Sequence, residues 1–363
     1  MGIAVDTDSL MVFSRQLHAL GLTGTTYNPN ARSYARSHVD LGLGGWDGLL
    51  GASIKSTSTS VDNALTTWCS EVEIALSAAC DAVTLIRESY LGTESANVAS
   101  LEGAYSDADL SSGVLTGHAT ASGDRASSVL NSPPVPDLTF DAVFSALGLI
   151  GNVISPTYWL STAGEALLGE VTWQTGFDPF QDVGDFLAGD WNKVEVASAA
   201  LKVLAQYFEA LAAELQSCWS SMDADWDGGA SVRAESAFSA TTSSLDDVAT
   251  DLEDAARQYH AVAIGVYELS SSLAGLLQTF ADLLIAAAIS LVATGAFSWT
   301  GVGALVGGLA TAGSIGGAVY VAYQIANALS TAWSIEEAFT GITASTLGAV
   351  RGIDPTQIPR PPF

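Results

Sequence analysis

From Val61 the sequence places Leu65, Trp68, Val72, Leu76, Ala79, Val83, Ile86 and Tyr90 at steps of four and three. A stripe with that period lies on one face of an α-helix, whereas a strand repeats every second residue. Sustained over about four heptads, it demands a partner helix laid along it. The pattern returns in Leu201, Leu204, Phe208, Leu211, Leu215 and Trp219. It returns again in Leu245, Val248, Leu252, Ala255, Tyr259, Val262, Val266, Leu269 and Leu273. No convincing period-two run competes with these seams, so the fold class is expected to be all-α.

Between seams the chain must reverse. Trp46-Asp47-Gly48 precedes the first seam, and Trp226-Asp227-Gly228 separates the second from the third. A tight turn between antiparallel helices needs a residue that tolerates positive φ, which Gly228 supplies. A tryptophan just before it can wedge between the helix ends and close the core, and Asp227 is placed to cap the next helix. Trp46, Gly48, Trp226, Asp227 and Gly228 are therefore expected to form hairpin turns. The stretch "DADWDGGAS" from Asp223 also opens like a calcium-binding EF loop. Its twelfth position is Ala234, and Glu235 comes one residue late, turned away by roughly 100° on a helix. The turn reading wins.

The architecture expected is tandem antiparallel helical hairpins in an elongated bundle, with an apolar helical hairpin appended. Residues 1–104 form the first module, 105–140 a Ser/Gly/Pro-rich linker and 141–190 short connecting helices. Residues 191–275 form the second hairpin, 276–335 the apolar hairpin and 336–363 a tail.

Charge narrows the function. The net charge is -27, and the 12 Lys and Arg are scattered singly. With no basic patch to neutralise phosphates, nucleic acid is excluded as a partner, and so is electrostatic docking on an anionic membrane. His18, His38, His118 and His260 are isolated, without metal-ligand spacing. No nucleophile elbow, phosphate loop or Cys-His pairing appears. The chain is read as non-enzymatic, with no catalytic residue, cofactor or metal. Cys69 and Cys80 lie roughly 16 Å apart along one helix at ~1.5 Å per residue, beyond a disulfide's reach. With Cys218 they are read as small buried apolar residues. The start, "MGIAVDTDSLMVF", lacks the basic-then-apolar order of a signal peptide, so export would use an address other than a cleaved leader.

From Leu283 to Ile335 there is no charged residue. Gly303 and Gly307, then Gly313 and Gly317, are spaced to let helices approach closely. Two readings stay open for 283–335: an interior hairpin packed on the seams, or a segment that contacts or enters a membrane.

Helix, Trp-x-Gly turn, helix resembles the small Trp-x-Gly (ESAT-6-like) substrates of type VII (ESX) secretion. The lead-in Asp178-Pro179 and Gly189-Asp190-Trp191, followed by Trp226-Asp227-Gly228 and an apolar region, is similar to the N-terminal regions of actinobacterial type VII effectors of the necrotizing-toxin, outer-membrane-channel type. The resemblance covers residues 1–104 loosely and 176–335 more fully. It implies export through a Tyr-x-x-x-Asp/Glu motif past the second helix of a hairpin. Tyr90 and Glu94 fit at the end of the first seam, with Tyr105 and Asp109 as the alternative. It also implies the type VII machinery as partner, with a small Trp-x-Gly hairpin as a further one. The protein would then be secreted without a cleaved signal peptide, to the medium, the cell surface or a membrane. Effectors of that family place a toxin after such a region; none is recognised before Phe363, so cargo is expected elsewhere. A membrane-inserting pore and a soluble helical scaffold remain the rival readings.

Overall fold

A computed structural model of the chain describes residues 6–21, 28–41, 48–104, 126–133, 162–226, 229–293 and 309–350. Every regular element among them is helical: α1 (Thr7–Gly21), α2 (Asn28–His38), α3 (Leu49–Ala104), α4 (Thr162–Thr175), α5 (Pro179–Leu187), α6 (Trp191–Asp223), α7 (Gly229–Ala293) and α8 (Leu309–Val350). A single 3-10 turn occupies Ser127–Val129. The all-α class stands.

The seams explain the layout. α6 and α7 pack antiparallel: Glu195 meets His260 Nδ1 at 2.9 Å, Ser198 Oγ donates to the Ala256 carbonyl at 2.8 Å, and Trp219 stacks on Phe238 nearer the turn. α3 lies against both. Its Trp68 meets Phe208 of α6 edge-on at 4.4 Å, and Leu50 and Ile54 line a small apolar gap with Val262 and Val266 of α7.

α1 and α2 together run back along α3. Arg87 Nε donates to the Thr7 carbonyl at 3.0 Å, and the Ser14 and Thr84 hydroxyls meet at 2.9 Å. Farther along, Arg32 donates to Ser70 at 2.8 Å and pairs with Glu73 at 3.4 Å, while Ser58 Oγ donates to the Val39 carbonyl. α2 is polar in sequence, "NPNARSYARSH", so these polar ties supplement the few apolar residues it buries: Ala31, Tyr34 and Ala35.

One apolar core joins residues 1–104 to residues 191–293. The seam from Val61 to Val83 is buried on this chain's own α1 and α2, with Trp68 against Phe208 of α6, rather than left open. Sequence alone left open whether the two modules dock; they do.

Two helix limits differ from the expected bounds, and part of the expected linker is docked. α7 runs unbroken through residue 276, because Leu273, Leu277, Phe280 and Leu284 extend the four-three spacing and all are buried. Nothing there interrupts the seam, so one helix carries straight from the second hairpin into the apolar segment. α8 lies antiparallel on the far half of α7, with Gly317 against Leu283 and Ala332 beside Val266, and it continues to Val350, past the expected limit at 335. The described part of the uncharged stretch thus packs on the bundle through one face: Ala287, Ala318, Ala322 and Ile325 are all fully buried. Residues 126–133, read as linker, dock on α6, with Ala126 buried and Leu130 against the core.

Among the described residues two stretches, Pro179–Asp223 and Ala230–Ala287, are long and apolar enough to cross a membrane by length and composition. Core helices of a bundle meet the same criterion, and the first is 56% buried in its most apolar window.

Candidate functional site

At one end of the bundle the lead-in motif closes a three-way junction. Asp178 caps α5, its Oδ1 accepting the amides of Phe180 at 3.0 Å and Gln181 at 3.2 Å. Asp182, one residue beyond the usual capping-box position, accepts the Asp178 amide in return at 2.7 Å, and Pro179 takes the first helical position. The orphan carbonyls at the far end of α5 find partners outside that helix. Leu187 accepts from the buried indole Nε1 of Trp191 at 2.8 Å, and Ala188 accepts from the amide of Gly48 at 3.0 Å. A Cβ on Gly48 would stand 2.5 Å from the Ala188 oxygen and 2.7 Å from its nitrogen. Gly48 is thus required for close backbone approach, not for a left-handed conformation; the described glycine with positive φ is Gly176, at 67°. Trp46 lies outside the described residues.

At the opposite end the α6–α7 connection is closed by aromatics. Trp226 is buried to 1% exposure and meets Trp219 edge-on at 6.1 Å. Phe13 of α1 approaches Trp219 and Phe238 at 6.0 and 5.1 Å, both edge-on, as ring quadrupoles favour. The Asp6 amide donates to the Asp225 carbonyl at 3.1 Å, so the start of α1 is pinned to this connection. Ser9 Oγ lies within hydrogen-bond reach of both the Asp6 and Asp225 carboxylates. Asp227 and Gly228 lie outside the described residues.

Tyr90 and Glu94 both lie on α3, one turn apart. Among the residues of that helix whose side chains are described, Val83 is the last buried one. Beyond it Tyr90 is half-buried against the edge of the core, and Leu91, Gly92 and Thr93 are exposed. From Glu88 to Thr93, past the Arg87–Thr7 contact, α3 is therefore largely solvent-facing, and Tyr90 is reachable there. Tyr105, Asp109, Gly303 and Gly307 lie outside the described residues. Gly313 faces open space on α8, whereas Gly317 packs on Leu283, its Cβ position 3.3 Å from the leucine methyls.

Sequence reading missed Glu214. The other acids whose side chains are described are at least partly exposed, but Glu214 is 6% exposed and its Oε1 accepts the buried amide of Ala126 at 3.1 Å. The signal was there: Tyr207, Leu211, Glu214 and Cys218 share a face at steps of four, three and four, and all are buried. It fastens the docked 126–133 segment. Burial also pushes the Tyr34 phenol up to about 12 and raises the Tyr259 phenol. Both are held neutral, as core residues rather than acid–base groups. Among the described residues no three His, Cys, Asp or Glu side chains converge as a metal site.

No family model, curated protein or solved structure matches this chain.

Proposed function

We propose that this chain is a non-enzymatic substrate of a type VII (ESX) secretion system, or the secretion and delivery part of an effector. Its export address is Tyr90 and Glu94. The observation that carries the reading is their placement: one turn apart on α3, beyond the buried seam that ends at Val83, with Leu91, Gly92 and Thr93 between them exposed. A receptor groove reads an exposed helical face through anchors spaced one turn apart. Because Val61, Leu65, Trp68, Val72, Leu76, Ala79 and Val83 are buried on this chain's own helices, the bundle presents that address without a second hairpin to cover the seam. A small Trp-x-Gly protein would then pair with an outer face, not with the core.

The test is export from a host that carries the secretion system. Tyr90→Ala and Glu94→Ala, each checked for retained helicity, are expected to abolish secretion while leaving cellular levels unchanged. Tyr105→Ala with Asp109→Ala is expected to leave it intact. Full secretion of the Tyr90 and Glu94 variants would leave the helical scaffold reading as the better one.

A further inference from the structure

α8 has two opposite faces. Ala318, Val321, Ala322, Ile325 and Leu329 are buried on the bundle. The stripe on the other side consists of Gly313, Gly316, Tyr320, Tyr323 and Asn327. Tyr320 is 64% exposed and Tyr323 51%. Large aromatic rings standing in water on a helix already packed by its other side are what an interface core uses.

The order of this stripe is symmetric. Counted from Ala318, Gly316 and Tyr320 lie two residues to either side, and Gly313 and Tyr323 five residues to either side. A second α8 laid antiparallel across the first, with the two-fold axis level with Ala318, sets both glycines of the stripe opposite a tyrosine. Gly316 then faces Tyr320 of the second copy, and Gly313 faces its Tyr323. Small against large lets one helix surface settle into the other. A Cβ at Gly313 or Gly316 would meet nothing within 4 Å in this chain. Glycine weakens a helix interior, and no contact among the described residues accounts for either one.

Charge selects the occupant further. Two copies that each carry -27 repel wherever acids meet, yet no charged residue occurs from Leu283 to Ile335. A bilayer would also accept an uncharged face, but nothing about lipid calls for glycines and tyrosines placed symmetrically about one residue. We propose that the outer face of α8 is a self-association surface, on which two copies of this chain pair antiparallel with each tyrosine ring over a glycine of the other copy. A stripe one helix wide buries less than the roughly 800 Å² per partner of a standard stable interface, so the pairing is weak and concentration-dependent.

Disulfide trapping on the full chain tests the register. Cys69, Cys80 and Cys218 are buried and leave the background clean. Gly313→Cys and Tyr323→Cys are made as separate proteins, each checked for unchanged helicity, then oxidised mildly alone and as an equal mixture. In the antiparallel pairing, thiols at identical positions sit roughly 15 Å apart at ~1.5 Å per residue, beyond a disulfide's reach. The expected result is a cross-linked dimer in the mixture and almost none in either protein alone. No dimer in the mixture overturns the proposal, as does equal cross-linking of Gly313→Cys by itself. Should a cysteine variant unfold, sedimentation of the natural sequence decides instead. A dimer that grows with concentration and is lost on Tyr320→Ser with Tyr323→Ser supports the proposal, and a monomer at every concentration overturns it. Flotation with phosphatidylcholine vesicles that depends on those tyrosines, without any dimer, assigns the face to a bilayer and overturns it too.

Discussion

Gly48 and Ala188 meet backbone to backbone, the amide of one donating to the carbonyl of the other at 3.0 Å with no room for a side chain between them. That contact joins the start of α3 to the end of α5, where Trp191 also ties α5 to the start of α6. Two helical groups far apart in sequence share one corner.

Gly48→Ala is expected to destabilise the chain by about 1–3 kcal/mol, because a Cβ 2.5 Å from a backbone oxygen forces the corner open. Gly92→Ala is the control: its Cβ position is empty, it lies within α3, and alanine there should gain about 0.5–1 kcal/mol. Urea unfolding of both variants reads the contrast. Equal midpoints would mean the corner yields freely.

Trp226→Ala is expected to cost about 3–5 kcal/mol, the usual range for removing a buried tryptophan. Near-ultraviolet dichroism should fall as well, since the ring packs edge-on against Trp219. Trp173 is 81% exposed, and Trp173→Ala should change neither signal appreciably. A stable, spectrally unaltered Trp226→Ala protein would remove the indole from any role in closing this end of the bundle.

The class of the fold was legible because its signal is periodic and long. Seams such as Leu245 to Leu273 admit one secondary structure and were found buried, with Leu269 alone among that seam's residues only partly so. Where helices stop was less legible. The limit expected at 276 rested on a change in composition, while the physical determinant, the spacing of Leu273, Leu277 and Phe280, ran straight through it. Gly48 could be singled out in sequence but not explained, since the backbone it touches belongs to Ala188. Glu214 was hidden for a similar reason: its partner is an amide in a segment whose composition reads as linker. The mutual docking of the two seams depends on pairs such as Trp68 with Phe208, which no single-helix pattern specifies.

The native thiols are expected to be inert. Burial pushes Cys69 up to about 12, and burial with the neighbouring charge of Glu214 pushes Cys218 up to about 11. Only the thiolate is nucleophilic, so at pH 8 neither thiol has much of the reactive form, and none of Cys69, Cys80 and Cys218 is accessible. A disulfide-exchange reagent should modify the folded chain many times more slowly than the chain in denaturant. Rapid reaction of the folded protein would show that the helices around Cys69 open readily.

Asp62 should make the bundle less stable as pH rises. Burial, and then the charge of Asp40, raise its carboxyl above 3.8, with Arg36 opposing them. A carboxyl raised in the folded state binds more protons there than in the unfolded chain between the two pKa values. Stability therefore falls as pH climbs through that window, and the full cost is present above it. Asp62→Asn removes the cost, so its unfolding midpoint should exceed that of the natural sequence at pH 7. The advantage should shrink to nothing as pH drops below the ordinary carboxylate value. Asp81→Asn, an exposed change of equal charge on the same helix, separates this local effect from the relief of net charge. An Asp62→Asn protein no more stable than Asp81→Asn at pH 7 would mean that water and Arg36 already neutralise the burden at this position.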